Sequence, residues 1–207
     1  MKRRLLAVAI MRKEHILEFV YGEFAACGFK QVSVDELAAR MHISKKTLYE
    51  FFSNKEKLFL DAIKQKCGKI VVASGEISEE CSNVLEIIIR CSMYLFEAVV
   101  GVSAQFKEDV ENCEEARIYL KEVRKELLDA GKRRFEQGKV EGYLMEEADF
   151  EIVGSMLALQ VVKMNEKKSE RYTPNQVCLK SLMIILRGVC TEKGREVLDQ
   201  IKESYTV

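Results

Sequence analysis

The stretch SKKTLY, residues 44–49, holds the side chains of this 207-residue chain that are best suited to binding a charged partner. Lys45 and Lys46 sit side by side, and the hydroxyl groups of Thr47 and Tyr49 follow closely. A serine before such a run is a typical helix start, where the positive end of the helix dipole disfavours cations. Cations in that position are well placed to bind a polyanion. The stretch therefore predicts a surface that binds a negatively charged partner.

Charge is unevenly distributed along the chain, although the formal net charge is zero. Residues 1–70 hold 14 Lys and Arg against 8 Asp and Glu, whereas residues 71–207 hold 19 against 25. Such asymmetry suggests that the N-terminal part meets an anion. A solvated charged face would produce the same imbalance, so the motifs must decide between the two interpretations.

The chain offers little material for catalysis or metal binding. It carries no P-loop, no glycine-rich dinucleotide motif and no zinc-ligand spacing, and His15 and His42 are its only histidines. We therefore expect no catalytic residue, no metal site and no cofactor. The seven cysteines form an odd set without a CxxC pair, which favours a reducing compartment and small buried thiols. A redox-sensing role for one of them stays open.

Two helices with clear end signals precede the lysine pair. Apolar residues at helical spacing predict a first helix from about Arg12 to Cys27, ended by Gly28. Ser33 and Glu36 then have the spacing of a capping box and predict the start of a second helix.

The lysine pair begins a third helix, for which Ser44 is the predicted N-cap. Ser53 and Glu56 predict another capping box and a fourth helix that continues to about residue 73. Two helices joined by so short a turn have the spacing of a helix-turn-helix, whose second helix places its first residues at base edges in the DNA major groove. A capped helical hairpin that binds nothing would show the same spacing.

The segments ILEFVYGEFAACGFKQVSVDELAARMHIS and KKTLYEFFSNKEKLFLDAI together resemble the DNA-binding domain of the tetracycline-repressor (TetR) family of bacterial regulators. The resemblance spans Arg12 to Ile63, about a quarter of the chain. It implies an all-α fold, with an N-terminal three-helix bundle containing a helix-turn-helix at 10–70 and a C-terminal helical ligand-binding and dimerisation domain at 71–207. It also implies two groups of DNA-binding residues: Lys45, Lys46, Thr47 and Tyr49 facing DNA, and Ser33, Ser44 and Lys55 on flanking phosphates.

The chain departs from the family pattern at three positions in this region. His42 occupies a turn position that is often Gly in the family, and His adopts the left-handed conformation at some cost. Lys46 stands where many members have Gly, so it either holds the protein farther from DNA or reaches sideways to a phosphate. Glu50 could accept a hydrogen bond from a cytosine amino group, or it could be a solvated surface residue.

The C-terminal part predicts further helices. NVLEIIIRCSMYLFEAVVG is strongly apolar, and ARIYLKEVRKELLDAGKRRFEQGKVEGYL begins as an amphipathic helix that stops near Gly138 or Gly142. Helices are also expected from Asp149 to about Lys163, after the Thr173 N-cap, and at 192–204.

Two of these helices, within residues 149–190, are apolar on more than one face, which predicts a homodimer interface. The candidate interface residues are Val153, Met156, Leu157, Leu182, Ile185 and Leu186. A small-molecule effector pocket is expected among aromatic and Met residues of the middle helices. The candidates are Met93, Tyr94, Phe96, Phe106, Tyr119 and Phe135. The same helical spacing is also typical of residues that simply form the core.

The N-terminal run Leu5 to Met11 is apolar but too short for secretion or for spanning a bilayer, so we expect a cytoplasmic protein with no membrane partner. Met11 could equally be the translation start. The resemblance implies a homodimeric, ligand-responsive regulator, most simply a repressor, that binds a palindromic operator in double-stranded DNA. The alternative is a helical protein-interaction adaptor whose helix-turn-helix no longer binds DNA.

Overall fold

The structure is a computed structural model that describes residues 2–166 and 171–204, with side chains from 12–163 and 171–203. Ten α-helices lie in these ranges, in agreement with the predicted all-α class. Their bounds are α1 Lys2–Cys27, α2 Val34–Arg40, α3 Lys45–Phe51, α4 Lys55–Glu80, α5 Val84–Val99, α6 Ala104–Glu111, α7 Glu114–Val140, α8 Phe150–Glu166, α9 Pro174–Val189 and α10 Glu192–Ser204.

The helices form two compact units. Unit 1 contains the described residues up to Lys69 together with Gly101–Val123, and unit 2 contains Ile70–Val100 and the described residues from Arg124 onward. The predicted domain ranges, 10–70 and 71–207, differ from this division at Gly101–Val123. These residues belong to unit 1 because α6 packs on α1 and α4: the Phe106 ring lies 5.7 Å from that of Tyr21 and 5.6 Å from that of Phe59, between centroids.

The N-terminal helix is longer than the sequence pattern predicted. It begins at Lys2 rather than near Arg12. The prediction relied on the apolar stripe that begins at Ile16, whereas residues 2–11 contain no Gly or Pro to end a helix, and most of them favour helix. Its end is as predicted, because Gly28 has φ 88° and donates its N–H to the carbonyl of Phe24.

Most predicted helix starts are confirmed, and one is wrong by a single residue. Ser33 forms the predicted capping box, and Thr173 is the predicted N-cap and forms a capping box with Gln176. The fourth helix is capped by Asn54 instead of Ser53: Asn54 Oδ1 accepts from the N–H of Lys57 at 2.7 Å. Two adjacent residues that both favour N-caps compete for the position, and Asn is at least as good a cap as Ser. α4 also continues beyond residue 73, to Glu80.

Unit 2 is held together by an apolar core between α5, α7, α8, α9 and α10. Its fully buried members include Leu85, Ile89, Phe135, Leu144 and Leu198. α7 ends at Val140, within the predicted interval, and α10 matches the predicted 192–204 helix. The remaining face of α8 is exposed and includes Ile152, Met156 and Leu159.

Candidate nucleic-acid interface

Helices α2 and α3 form a tight helix-turn-helix at the surface of unit 1. The turn is closed by His42, which has φ 54° as its position predicted, and by a hydrogen bond from Ile43 N–H to the carbonyl of Ala38 at 3.0 Å. Leu37 and Leu48 are buried under the two helices. Because burial fixes one face of each helix, the opposite face of α3 and its first turn remain exposed to solvent.

Both predicted serines act as N-caps. Ser44 Oγ accepts from the N–H of Thr47 at 3.0 Å and lies 2.9 Å from the Thr47 hydroxyl. Ser33 Oγ accepts from the N–H of Glu36 at 3.1 Å, and the Glu36 carboxylate accepts from the N–H of Ser33. These hydrogen bonds lower the pKa of Glu36. A serine hydroxyl that accepts a backbone hydrogen bond still has its own hydrogen to donate, as a phosphate contact requires.

Lys45 is exposed and is paired with an acid on the preceding helix. Its Nζ lies 3.0 Å from Oδ1 of Asp35 and 3.1 Å from Oδ2. The hydrogen bond to Asp35, and then its charge, raise the pKa of Lys45. An exposed ion pair of this kind contributes little to stability, so a phosphate or base edge can compete with Asp35 for the ammonium group.

Other side chains in the first two turns of α3 are also exposed to solvent. Lys46 is exposed and forms no ion pair within 4 Å among the residues that the structure describes. Tyr49 is 44% exposed although its neighbour Leu48 is buried, and Thr47 is half-buried. Glu50 is exposed as well. The structure therefore brings the predicted base-facing residues onto one accessible surface.

Lys55 is oriented differently from the other predicted DNA contacts. Its Nζ donates to the carbonyl of Phe29 at 2.5 Å and lies 4.2 Å from the centre of the Phe29 ring. Burial lowers the pKa of Lys55. The ammonium group thus stabilises the turn between α1 and α2 from inside unit 1, and a phosphate contact would require it to leave this position.

The same turn is held from its other side by a residue that sequence reasoning missed. Asp109 on α6 is only 4% exposed, and its Oδ2 accepts from the N–H of Phe29 at 2.7 Å. Asp109 therefore binds the backbone N–H of Phe29 and Lys55 binds its carbonyl. The two contacts fix the path of the chain into the helix-turn-helix. No local signal could have revealed Asp109, because it lies 80 residues from its partner in sequence.

The six predicted pocket residues are divided between the two units: two lie in unit 1 and four in unit 2. Phe106 belongs to unit 1 and is buried there, and Tyr119 belongs to the same unit. Phe135 is buried in the core of unit 2 with its ring 5.8 Å from that of Phe150. The other three also lie in unit 2, where Phe96 is buried. Met93 packs against the core of unit 2, and Tyr94 packs against a separate cluster formed by Ile77, Ile87 and Cys91.

The six predicted dimer residues divide by burial. Three are buried within the chain's own core: Val153, Leu182 and Leu186. Leu157 and Ile185 are half-buried against that core, and Met156 is exposed. Buried side chains already have partners within one chain, so only part of the predicted set is available to a second copy.

The described residues form neither a metal-binding cluster nor a single membrane-spanning helix. No group of three or more His, Cys, Asp or Glu is arranged to hold a metal ion there. Within the same residues no single helix is both long and apolar enough to cross a bilayer, while the bent pair α5 and α6 would qualify by length and composition alone.

The sequence of this region matches a known family. Residues 21–62 match the family described as bacterial regulatory proteins, tetR family. The chain is 32% identical over 90 residues to an uncharacterized HTH-type transcriptional regulator, YhgD, of Bacillus subtilis (strain 168), covering 40% of this chain and 47% of that protein. The chain therefore spans about half the length of this curated relative.

Solved structures share the fold across most of the chain. The ketosteroid transcriptional regulator KstR2 of Mycobacterium tuberculosis superposes with a TM-score of 0.68 at 22% identity, over 87% of this chain and 96% of that one. AibR, solved with isovaleryl coenzyme A and operator DNA, gives 0.63 at 19% identity, over 84% and 97%. A putative transcriptional regulator from Saccharomonospora viridis, solved with choline, gives 0.67 at 13% identity, over 88% and 99%.

These relatives are described as regulators rather than enzymes, and the matched residues include the capped second helix, the turn and α3. Residues 21–62 are therefore similar in sequence to the tetR family of bacterial regulatory proteins, and the chain shares the fold of solved transcriptional regulators.

Proposed function

We propose that this protein is a homodimeric, ligand-responsive transcriptional regulator, a repressor that binds a palindromic operator through α3. The observation that carries the proposal is the first turn of α3, which is capped by Ser44 and presents Lys45, Lys46 and Tyr49 to solvent from a buried helix-turn-helix. In this motif the first residues of the second helix contact base edges. An adaptor that had lost DNA binding would have no need for an exposed lysine pair at a helix start.

The side chains of α3 suit different parts of a DNA site. Lys45 can donate to guanine O6 and N7 once it leaves Asp35, and Tyr49 can reach a phosphate through its hydroxyl. A good base contact contributes about 1–3 kcal/mol of discrimination between sequences. Ser33 and Ser44 each present a hydroxyl at the edge of this surface, suited to flanking phosphates.

Dimerisation is supported by an exposed apolar face on α8 and α9. Ile152, Met156 and Leu159 recur at spacings of four and three residues on α8 and are 63%, 49% and 64% exposed. Ile184 on α9 is 73% exposed. Exposed apolar side chains of this kind mark an interaction site, and a two-fold interface would bury them against their own copy. Two copies of α3 would then read the two halves of a palindrome.

Ligand response is supported by the relatives and by the course of α4. AibR was solved with both a coenzyme A ester and operator DNA. In this chain α4 runs from Lys55, beside the helix-turn-helix, to Glu80, and contributes residues to both units. A ligand that binds the DNA-incompetent state more tightly would shift the population away from the operator-bound form. A typical coupling of about 1–3 kcal/mol would weaken operator binding roughly 5–150-fold.

Selection of bound duplexes from a pool of genomic fragments tests the proposal and identifies the operator. We expect enrichment of fragments that share a sequence with two-fold symmetry. Repeating the selection with Lys45→Ala should reduce enrichment, whereas Lys125→Ala removes an exposed lysine of α7 and should not. A pool that is not enriched by the wild-type protein at low salt would favour the adaptor interpretation.

A further inference from the structure

A cavity of about 470 Å³ lies within unit 2, between the end of α4, the start of α5 and the second half of α7. This volume falls in the range of small-molecule sites, roughly 300–1,000 Å³. None of the six pocket residues predicted from the sequence lines it. The polar side chains that line it include Ser78, Ser82, Asn83, Arg133, Arg134 and Gln137.

Arg134 is fixed in the cavity wall by neutral groups only. Its Nη2 donates to the Ser74 carbonyl at 3.0 Å, and to the hydroxyls of Ser74 and Ser78 at 2.9 Å each. Among the described residues, no carboxylate lies within 4 Å of this guanidinium, and only Nη2 of Arg134 forms hydrogen bonds with them. The half-buried guanidinium of Arg134 therefore keeps donors that an anion entering the cavity could bind.

The neighbouring charges leave the cavity positive. Arg133 also lines it and has no ion pair in the part of the chain that the structure describes. One acid, Glu141, lines the cavity as well, and its Oε1 accepts from Nε2 of Gln137 at 2.6 Å. The cavity therefore holds two guanidinium groups against one carboxylate.

We propose that this cavity binds a small organic anion, whose carboxylate or phosphate group pairs with Arg134 and Arg133. Planar guanidinium groups bind such anions with two parallel, charge-assisted hydrogen bonds. The apolar part of the molecule would contact Val84, Ile87 and Ala130, which line the same space. That the bound anion regulates DNA binding rests on the proposed function, whereas the binding site itself does not.

Binding can be measured on the full chain without DNA. Pyrophosphate, citrate and a series of mono- and dicarboxylates serve as probes in thermal shift and calorimetry, with sodium chloride at matched ionic strength as the blank. At least one probe should raise the melting temperature saturably, as ligands that bind only the folded state do. Arg134→Gln and Arg133→Gln should each weaken that probe by about tenfold or more, because each loses a charge-assisted contact.

Two variants keep the test decisive. Arg133→Gln alters an exposed side chain, so it reports on binding even if Arg134→Gln also loosens the contact with Ser74. Arg124→Gln removes an exposed arginine of α7 that does not line the cavity, and should leave affinity unchanged.

The outcomes separate this site from the proposed function. Saturable binding that both cavity variants weaken supports the site even if the protein binds no operator. No saturable probe, or a probe that binds all three variants equally, overturns the site and leaves operator binding to be judged separately.

Discussion

The turn that leads from α1 into the helix-turn-helix should tolerate no side chain at Gly28. Gly28 has φ 88°, a conformation that L-residues rarely adopt. A Cβ built there would overlap Cγ of Gln105 and lie 3.0 Å from Oδ2 of Asp109, which binds Phe29. Gly28→Ala therefore combines backbone strain with displacement of the Gln105 side chain on α6.

The magnitude can be divided into two parts with a matched control. The left-handed backbone costs about 1–2 kcal/mol for a residue with a Cβ. Forcing a buried contact apart costs about 1–3 kcal/mol more. Gly101 has φ 80° in the same unit, but a Cβ there would meet no atom within 4 Å. Gly101→Ala should therefore show only the cost of the left-handed backbone. Gly28→Ala should show that cost and the cost of the side-chain overlap.

Urea unfolding followed by circular dichroism measures both variants against the wild type. We expect Gly28→Ala to lower the free energy of unfolding by about 1–3 kcal/mol more than Gly101→Ala does. Operator affinity, measured at a temperature where all three are folded, should fall further for Gly28→Ala, because this turn positions α2 and α3. Equal losses of stability in the two variants would refute the packing of α6 against the turn.

Three other outcomes are expected. Asp109→Asn should destabilise unit 1 by about 1–2 kcal/mol in the same urea assay, because its charge-assisted hydrogen bond to Phe29 becomes a neutral one; unchanged stability would count against that contact. Burial raises the pKa of the Cys67 thiol from 9.0 to about 11, so the stability contributed by the protonated thiol is complete below pH 9 and declines as pH rises toward 11. At pH 8 the exposed Cys27 should react with a thiol reagent before Cys67 does, and reaction of both at the same rate would contradict the burial of Cys67. Leu159→Glu should convert the proposed dimer to monomer by sedimentation equilibrium with little loss of helicity, because this side chain is exposed in the single chain; a wild-type monomer at micromolar concentration would exclude the interface.

Local signals in the sequence were sufficient for much of the fold. The N-caps at Ser33 and Thr173 depend on residues within four positions of each other, so spacing alone reveals them. The left-handed turn at His42 was implied by the family resemblance. The α4 cap was misplaced because Ser53 and Asn54 are both good caps, and only the path of the chain after α3 selects one.

The remaining features depend on tertiary packing. An apolar helix with two candidate faces does not reveal which face the chain buries itself, so Leu182 was predicted at an interface although it lies in the core, while Ile152 was not named. The contacts of Asp109 with Phe29 and of Arg134 with Ser74 join residues 80 and 60 positions apart. No periodicity in the sequence connects such pairs.

The central claim is that the first turn of α3 binds DNA. The salt dependence of operator binding tests this claim most directly. Fluorescence anisotropy on the selected operator at several salt concentrations would compare wild type, Lys45→Ala, Lys46→Ala and Lys125→Ala. We predict that Lys45→Ala costs about 1–3 kcal/mol and relaxes sequence preference, and that a phosphate contact by Lys46 would appear as a salt slope about one unit shallower. Lys125→Ala should match the wild type. Wild-type affinity and slope in both α3 variants would contradict the assignment of this surface to DNA.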